Sequence, residues 1–256
     1  QLMDVTLRDG SYAVDFRFDP NFVSTYLKKV DCTDIQYIEI GHGLGVDAEL
    51  NGAPPCNISL LDWSRLAESF LTTAKWGLFA QPSFSKLSTL EQLTENGMSF
   101  VRIGMRAEDV ESNQDYLQQA LDSCSSVFLN LMKTSATPIN EVAEHLRTAP
   151  SSLAGIYVVD SFGAMLPDQV RNYVREVGAV HPTVGFHGHD NLGLANANSL
   201  AAVEAGAQLI DGTLNGVGRG AGNAQLESLS AILNRLDSGE HSYKKLADLA
   251  EYCRLS

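Results

Sequence analysis

The chain has 256 residues, 44% hydrophobic and 19% charged, enough apolar material for one large α/β or β-barrel domain or for two small ones. Its 31 acidic and 18 basic residues leave a formal charge of −13, which excludes the basic patch that a nucleic-acid or anionic-membrane surface needs. No run of about 18 apolar residues offers a membrane span, and the same composition excludes disorder and collagen-like repeats.

Short β-rich runs recur along the chain. Candidate strands are Leu2–Leu7, Ile35–Ile40, Gly77–Ala80, Phe100–Ile103, Val127–Leu131, Ile156–Val159, Val184–Phe186 and Leu209–Ile210. They are continuously apolar rather than alternating, as parallel strands covered on both faces are. Their starts lie about 23 to 42 residues apart, the length of one strand–helix unit. Helical patterns fill the gaps. Asp62 to Thr73 places Leu66, Phe70 and Leu71 on one face; Asp168 to Val177 follows Pro167, a favoured first-turn residue; Asn196 to Ala205 stops at Gly206. Asn96-Gly97 is a further helix-ending signal. Eight such units without a linker or low-complexity tract predict an α/β fold, a single-domain (β/α)8 TIM barrel over residues 1–256.

The four cysteines, Cys32, Cys56, Cys124 and Cys253, show no CxxC pair and no zinc spacing, and are expected to be reduced and mostly buried. With no signal peptide ahead of Leu2–Leu7, the expected compartment is the cytoplasm.

In a barrel of this type the site lies where the strands end. Arg8-Asp9-Gly10-Ser11-Tyr12 follows the first strand, Gly41-His42-Gly43 the second, Asp160-Ser161 the sixth and His187-Gly188-His189-Asp190-Asn191 the seventh. The eighth is followed by Asp211, Asn215 and the loop from Gly216 to Asn223. His187 and His189 stand at i and i+2, so both imidazoles face the same way on a strand; alone, the pair reads equally as surface or core histidines. Asp9 comes beside them when the barrel closes, and two imidazoles with oxygen ligands suit a divalent cation such as Mn²⁺, Mg²⁺ or Co²⁺. Arg8 reads either as a salt bridge to Asp160, Glu39 or Asp211 or as a clamp on a carboxylate or developing enolate. His42 either binds substrate or caps its loop.

Gly216-x-Gly218-x-x-Ala221 matches a dinucleotide fingerprint, but no βαβ unit follows to complete a nucleotide half. The loop reads better as amides cradling an anion or as a tight turn presenting Asn223. The cysteines lie away from strand ends, so no thiol nucleophile is expected. His145, His181 and His241 read as peripheral, and Lys28-Lys29 and Lys244-Lys245 as solvated helix faces.

Thr6-Leu7-Arg8-Asp9-Gly10, His187-Gly188-His189-Asp190-Asn191 and Gly218-Arg219-Gly220-Ala221-Gly222-Asn223 together resemble the DRE-TIM metallolyase superfamily over essentially the whole chain. Val158–Met165 and Gly41-His42-Gly43 are similar to its 4-hydroxy-2-oxovalerate aldolase branch. The resemblance implies metal ligation by Asp9, His187 and His189, with Asn223 as a fourth ligand or behind them, and Mn²⁺ or Mg²⁺ ahead of Co²⁺ or Zn²⁺. It implies enolate stabilisation by Arg8 and keto-acid contacts from Ser161, with His42 also expected at the substrate. Three departures stand out: Tyr12 replaces the aldolase's histidine base, Ser11 the synthase's glutamate, and the Gly216–Gly222 loop lacks the CoA lyase's cysteine.

The expected activity is a class II pyruvate aldolase, a metal-dependent carbon–carbon lyase that cleaves or forms a 4-hydroxy-2-oxo acid through a pyruvate-type enolate, with Tyr12 as the candidate base. An unperturbed phenol, at about 10, is a poor base at neutral pH. The alternatives are acyl-CoA-dependent Claisen chemistry and a non-catalytic barrel used for binding or assembly. Expected partners are a small 2-oxo acid and an aldehyde, with no nucleic acid and no membrane, in a homodimer. No dehydrogenase partner is expected, because the aldolase's C-terminal communication region would lie beyond Ser256.

Overall fold

The computed structural model describes residues 1–236 and 241–255, so Ser256 lies outside the described residues. Its eight strands are β1 (Leu2–Asp4), β2 (Tyr37–Ile40), β3 (Lys75–Ala80), β4 (Phe100–Met105), β5 (Val127–Leu131), β6 (Gly155–Asp160), β7 (Val184–Gly188) and β8 (Leu209–Gly212). Every neighbouring pair is parallel, and β8 returns to β1 with Leu2 opposite Ile210, closing the barrel in sequence order. The (β/α)8 expectation is therefore met.

The helices outside the barrel are α1 (Pro20–Val30), α2 (Leu60–Phe70), α3 (Leu87–Glu95), α4 (Gln114–Ser123), α5 (Ile139–His145), α6 (Pro167–Val180), α7 (Ala195–Glu204), α8 (Leu226–Arg235) and α9 (Tyr243–Leu255). Local chemistry sets their ends. The Asp19 carboxylate accepts from Asn21 N at 2.6 Å while Pro20 opens α1, and Ser59 caps α2 through Asp62 N. Gly97 and Gly206 take positive φ just past α3 and α7, in the left-handed conformation that glycine adopts without a Cβ penalty.

Two expectations need correction. The first strand does not run to Leu7. Asp4 Oδ1 accepts from Thr6 N and Thr6 Oγ1, and Arg8 N and Asp9 N bond back to Val5 O, so Thr6–Asp9 form one helical turn. That turn swings Asp9 over the barrel. Of the four free thiols only Cys124 is buried; Cys32 is exposed, and Cys56 and Cys253 are partly covered, because they lie on the outer layer rather than on strands.

Inside the barrel, Met3, Val5, Phe100, Phe128, Tyr157, Val159 and Leu209 form a core distinct from the strand–helix layer. Phe100, Phe128 and Tyr157 meet edge to face with successive centroids 6.0 Å apart. Strand alternation puts Phe100, Arg102 and Gly104 of β4 on this inner side, so above the aromatic layer lies a charged one.

Candidate active site

At the C-terminal mouth, Asp9, His187 and His189 each offer one ligand atom, all within 4.8 Å of one another. Asp9 Oδ2 lies 3.3 Å from His187 Nε2 and 3.6 Å from His189 Nε2. The opposite nitrogens explain why these two faces converge. His189 Nδ1 lies 2.9 Å from the Asp160 carbonyl oxygen, which can only accept, so the proton sits on Nδ1. His187 Nδ1 donates in the same way to Asp211 Oδ2 at 2.8 Å. Two Nε2 lone pairs are thereby aimed at a carboxylate oxygen that is buried and has no hydrogen-bond partner.

Such a convergence calls for a cation. Burial opposes charge on His187, yet Asp211 and Asp9 raise its pKa above the ordinary value. Burial also opposes charge on Asp9, but Arg8 and His187 outweigh it and hold the carboxyl well below the usual range. His189 is pushed down by burial and by the neighbouring His187, which keeps its lone pair free. Asn223 offers a fourth candidate ligand: its Nδ2 donates to Val217 O at 3.0 Å, while Oδ1 is buried and unpartnered. Gly218 makes room for that amide, since a Cβ there would lie 2.0 Å from Asn223 Nδ2. The glycine loop is thus a tight turn that presents Asn223. Two imidazoles, a carboxylate and an amide oxygen fit a divalent cation.

Arg8 is buried, with Nε 2.5 Å from Glu39 Oε2 and Nη1 3.1 Å from Asp9 Oδ1. Of the three carboxylates considered for it, Glu39 alone pairs with it. Asp160 caps its own loop through Ala164 N and Met165 N, and Asp211 serves His187. Arg102, which sequence reading passed over, ties the set together. Fully buried, it donates from Nε to Glu39 Oε1 at 2.8 Å, from Nη2 to Glu39 Oε2 at 2.9 Å and from Nη1 to Asp211 Oδ2 at 2.6 Å. Burial opposes charge on Glu39, but Arg102 and Arg8 bring its carboxyl down to about 2. The available signal was a lone cation inside the apolar run Phe100–Ile103.

Tyr12 sits at the mouth, edge-on to Phe16 at 5.2 Å, with the Arg219 guanidinium 5.9 Å from its ring. Burial raises its phenol further. His42 has both ring nitrogens engaged: Leu44 N donates to Nδ1 at 3.0 Å, and Nε2 lies 2.9 Å from Pro54 O. Its ring stacks on Phe16 at 4.2 Å, which makes it a clasp for the β2 loop, the loop-capping alternative, rather than a free substrate ligand. Ser161 Oγ accepts from Lys133 N at 2.8 Å and keeps its own proton to donate. His181 and His241 are likewise taken up by Thr183, Leu153 and Asp34.

Comparison with known proteins agrees with this geometry. The HMGL-like family model matches residues 84–255. An oxaloacetate decarboxylase of Mycobacterium tuberculosis is 37% identical over 236 residues, covering 91% of this chain and 70% of that protein. A 4-hydroxy-2-oxovalerate aldolase of Carboxydothermus hydrogenoformans is 33% identical over 255 residues, covering 98% and 76%. Among solved structures, the N-terminal domain of a candidate aldolase from Bacteroides vulgatus superposes with a TM-score of 0.83 at 26% identity, over 98% of this chain and 85% of that one. Fold, site and relatives define a lyase built on a closed barrel. The chain belongs to the HMGL-like family.

Proposed function

We propose that this chain is a divalent-metal-dependent aldolase that cleaves or forms a 4-hydroxy-2-oxo acid through a pyruvate-type enolate. The observation that carries the reading is the unpartnered Asp9 oxygen facing two imidazole nitrogens, next to a buried arginine. Asp9, His187 and His189, with Asn223 beside them, would hold Mn²⁺ or Mg²⁺, which as a Lewis acid polarises the keto group of the substrate. Arg8, fixed by Glu39 and Asp9, presents its guanidinium to the oxygen on which enolate charge develops. Ser161 donates to the substrate carboxylate while its oxygen is held by Lys133 N. Tyr12, kept protonated at neutral pH by burial, gives its proton to the new hydroxyl in condensation, and its phenolate form takes the 4-hydroxyl proton in cleavage. His42 shapes the wall behind Tyr12 through Phe16.

A second reading, decarboxylation of a 2-oxo acid, is favoured by the Mycobacterium tuberculosis relative named oxaloacetate decarboxylase. It passes through the same enolate with CO₂ as the departing group. No described helix is long and apolar enough to cross a membrane. The four free thiols support a reducing compartment such as the cytoplasm, where the enzyme would act as a homodimer on free small molecules.

Exchange of pyruvate methyl protons with deuterated water, followed by NMR in the presence of Mn²⁺ or Mg²⁺, tests the enolate directly. Exchange that disappears in Arg8→Gln and slows in Tyr12→Phe is expected. Absence of exchange with every divalent ion tried would sink the reading. Pyruvate release from 4-hydroxy-2-oxovalerate and from oxaloacetate then separates the two departing groups.

A further inference from the structure

We infer that the cavity at the C-terminal ends of β3, β4 and β5 receives the half of the substrate that departs as the aldehyde, and that this half carries an anionic group, a carboxylate or a phosphate. The inference rests on the proposed enolate chemistry and names the substrate class for it. The cavity holds about 290 Å³ and presents Gln81, Ser83, Arg106, Asp109, Asn113 and Lys133.

It adjoins the enolate site on two sides. Its floor is Gly104, where a Cβ would lie 2.2 Å from Phe79 Cζ, and the Arg8 guanidinium sits 5.2 Å from the same Phe79 ring. On the other side, Lys133 N is bound to Ser161 Oγ, and the preceding residue, Asp160, anchors His189 through its carbonyl. A substrate whose keto-acid end lies between Arg8 and Ser161 therefore extends its far end toward the cavity.

The lining carries two cations and one carboxylate, opposite in sign to a chain of net charge −13. Arg106 is held at the rim by an ion pair with Glu108. Lys133 makes no ion pair among the described residues, and its backbone takes the left-handed conformation at φ 54, which is uncommon for a lysine and sets the direction in which its stem leaves the chain. An unpaired ammonium beside a guanidinium is a receptor for an anion. A methyl-terminated acceptor would leave Lys133 without a partner. On β5 the ladder partner of Gly104 is Asn130, buried with an unpartnered side-chain oxygen that can accept from a hydroxyl.

In cleavage the C3–C4 bond breaks and its electron pair stays on C3 as the enolate. The 4-hydroxyl proton passes to the Tyr12 phenolate as C4 becomes the aldehyde carbon, and C3 then takes up one proton from Tyr12 or water, so that no net proton is gained or lost. The anionic group takes no part in this electron flow and serves as a handle.

The test is condensation of pyruvate, with Mn²⁺ bound, onto acetaldehyde, propanal and glyceraldehyde compared with glyoxylate, succinic semialdehyde and glyceraldehyde 3-phosphate. The anionic acceptors should show about tenfold higher kcat/KM, the worth of one charge-assisted hydrogen bond, and the two anionic arms decide between carboxylate and phosphate. In Lys133→Gln and Arg106→Gln the anionic-to-neutral ratio should fall about tenfold. Equal or better use of neutral aldehydes, or variants that slow both kinds alike, overturns the inference. Pyruvate proton exchange without any aldehyde reports the enolate alone, so exchange without anionic preference overturns this inference and leaves the enolate standing. Should exchange be absent, calorimetric titration with glycerol 3-phosphate and succinate still decides: no binding, or equal binding by wild type and Lys133→Gln, overturns it.

Discussion

Arg102 shows how much a single buried residue organises here. It is the bridge between the carboxylate that holds Arg8 and the carboxylate that orients His187. Arg102→Met should lower stability by about 3–5 kcal/mol, because it removes three buried charge-assisted hydrogen bonds and leaves Glu39 to Arg8 and Asp211 to His187 alone; denaturant melts measure it, and a loss below about 1 kcal/mol would show that the layer is not structural. The Asp9, His187 and His189 group was legible in the sequence because His187 and His189 are two residues apart at the end of a strand and Asp9 lies in the turn after the strand that barrel closure brings beside them. The bridge that Arg102 makes from Glu39 to Asp211 was not, since these residues lie 63 and 109 positions from it and meet it only through inward-facing positions of three strands. His42 was ambiguous for a different reason: nothing local tells that Pro54 O will occupy its Nε2.

At the scale of elements, the strands were readable from apolar runs and the helix ends from Pro, Gly and Asn, but side-chain-to-backbone clasps were not. Asp4 ended the first strand early, and Asp31, just past α1, clasps the segment entering β3. Its carboxylate accepts from Thr72 N, Thr73 N and Ala74 N at 2.9, 3.0 and 2.9 Å, and from both threonine hydroxyls. Although burial works the other way, the Thr72 hydroxyl and these three amides hold the carboxyl well below its ordinary range. A folded pKa below the unfolded value of about 3.9 means that the stabilisation is complete above that pH and is lost as pH falls beneath it. Asp31→Ala should therefore cost about 1–3 kcal/mol at pH 7, and the gap from wild type should narrow in urea melts as the pH falls below about 4. A gap independent of pH would contradict the assignment.

At the scale of the molecule, Asp9, His187 and His189 at the mouth of the barrel are placed to receive a cation. A ligand that binds only the folded state stabilises it by mass action, about 2.7 kcal/mol at a hundredfold excess over Kd. Saturating Mn²⁺ should raise the melting temperature of the wild type by roughly 5 to 10 °C, and Asp9→Ala should abolish the shift, as read by calorimetry. An equal shift in the variant would place the ion elsewhere. The charged layer inside the barrel has one more consequence, and it concerns assembly. Glu39 and Arg102 come from β2 and β4, in the first half of the chain, whereas Asp211 comes from β8, at the far end. A half-barrel could bury its aromatic residues but would leave this arginine with an unanswered donor. The interior thus distinguishes a closed ring from every open precursor, so that strand closure and readiness of the catalytic mouth are one event rather than two.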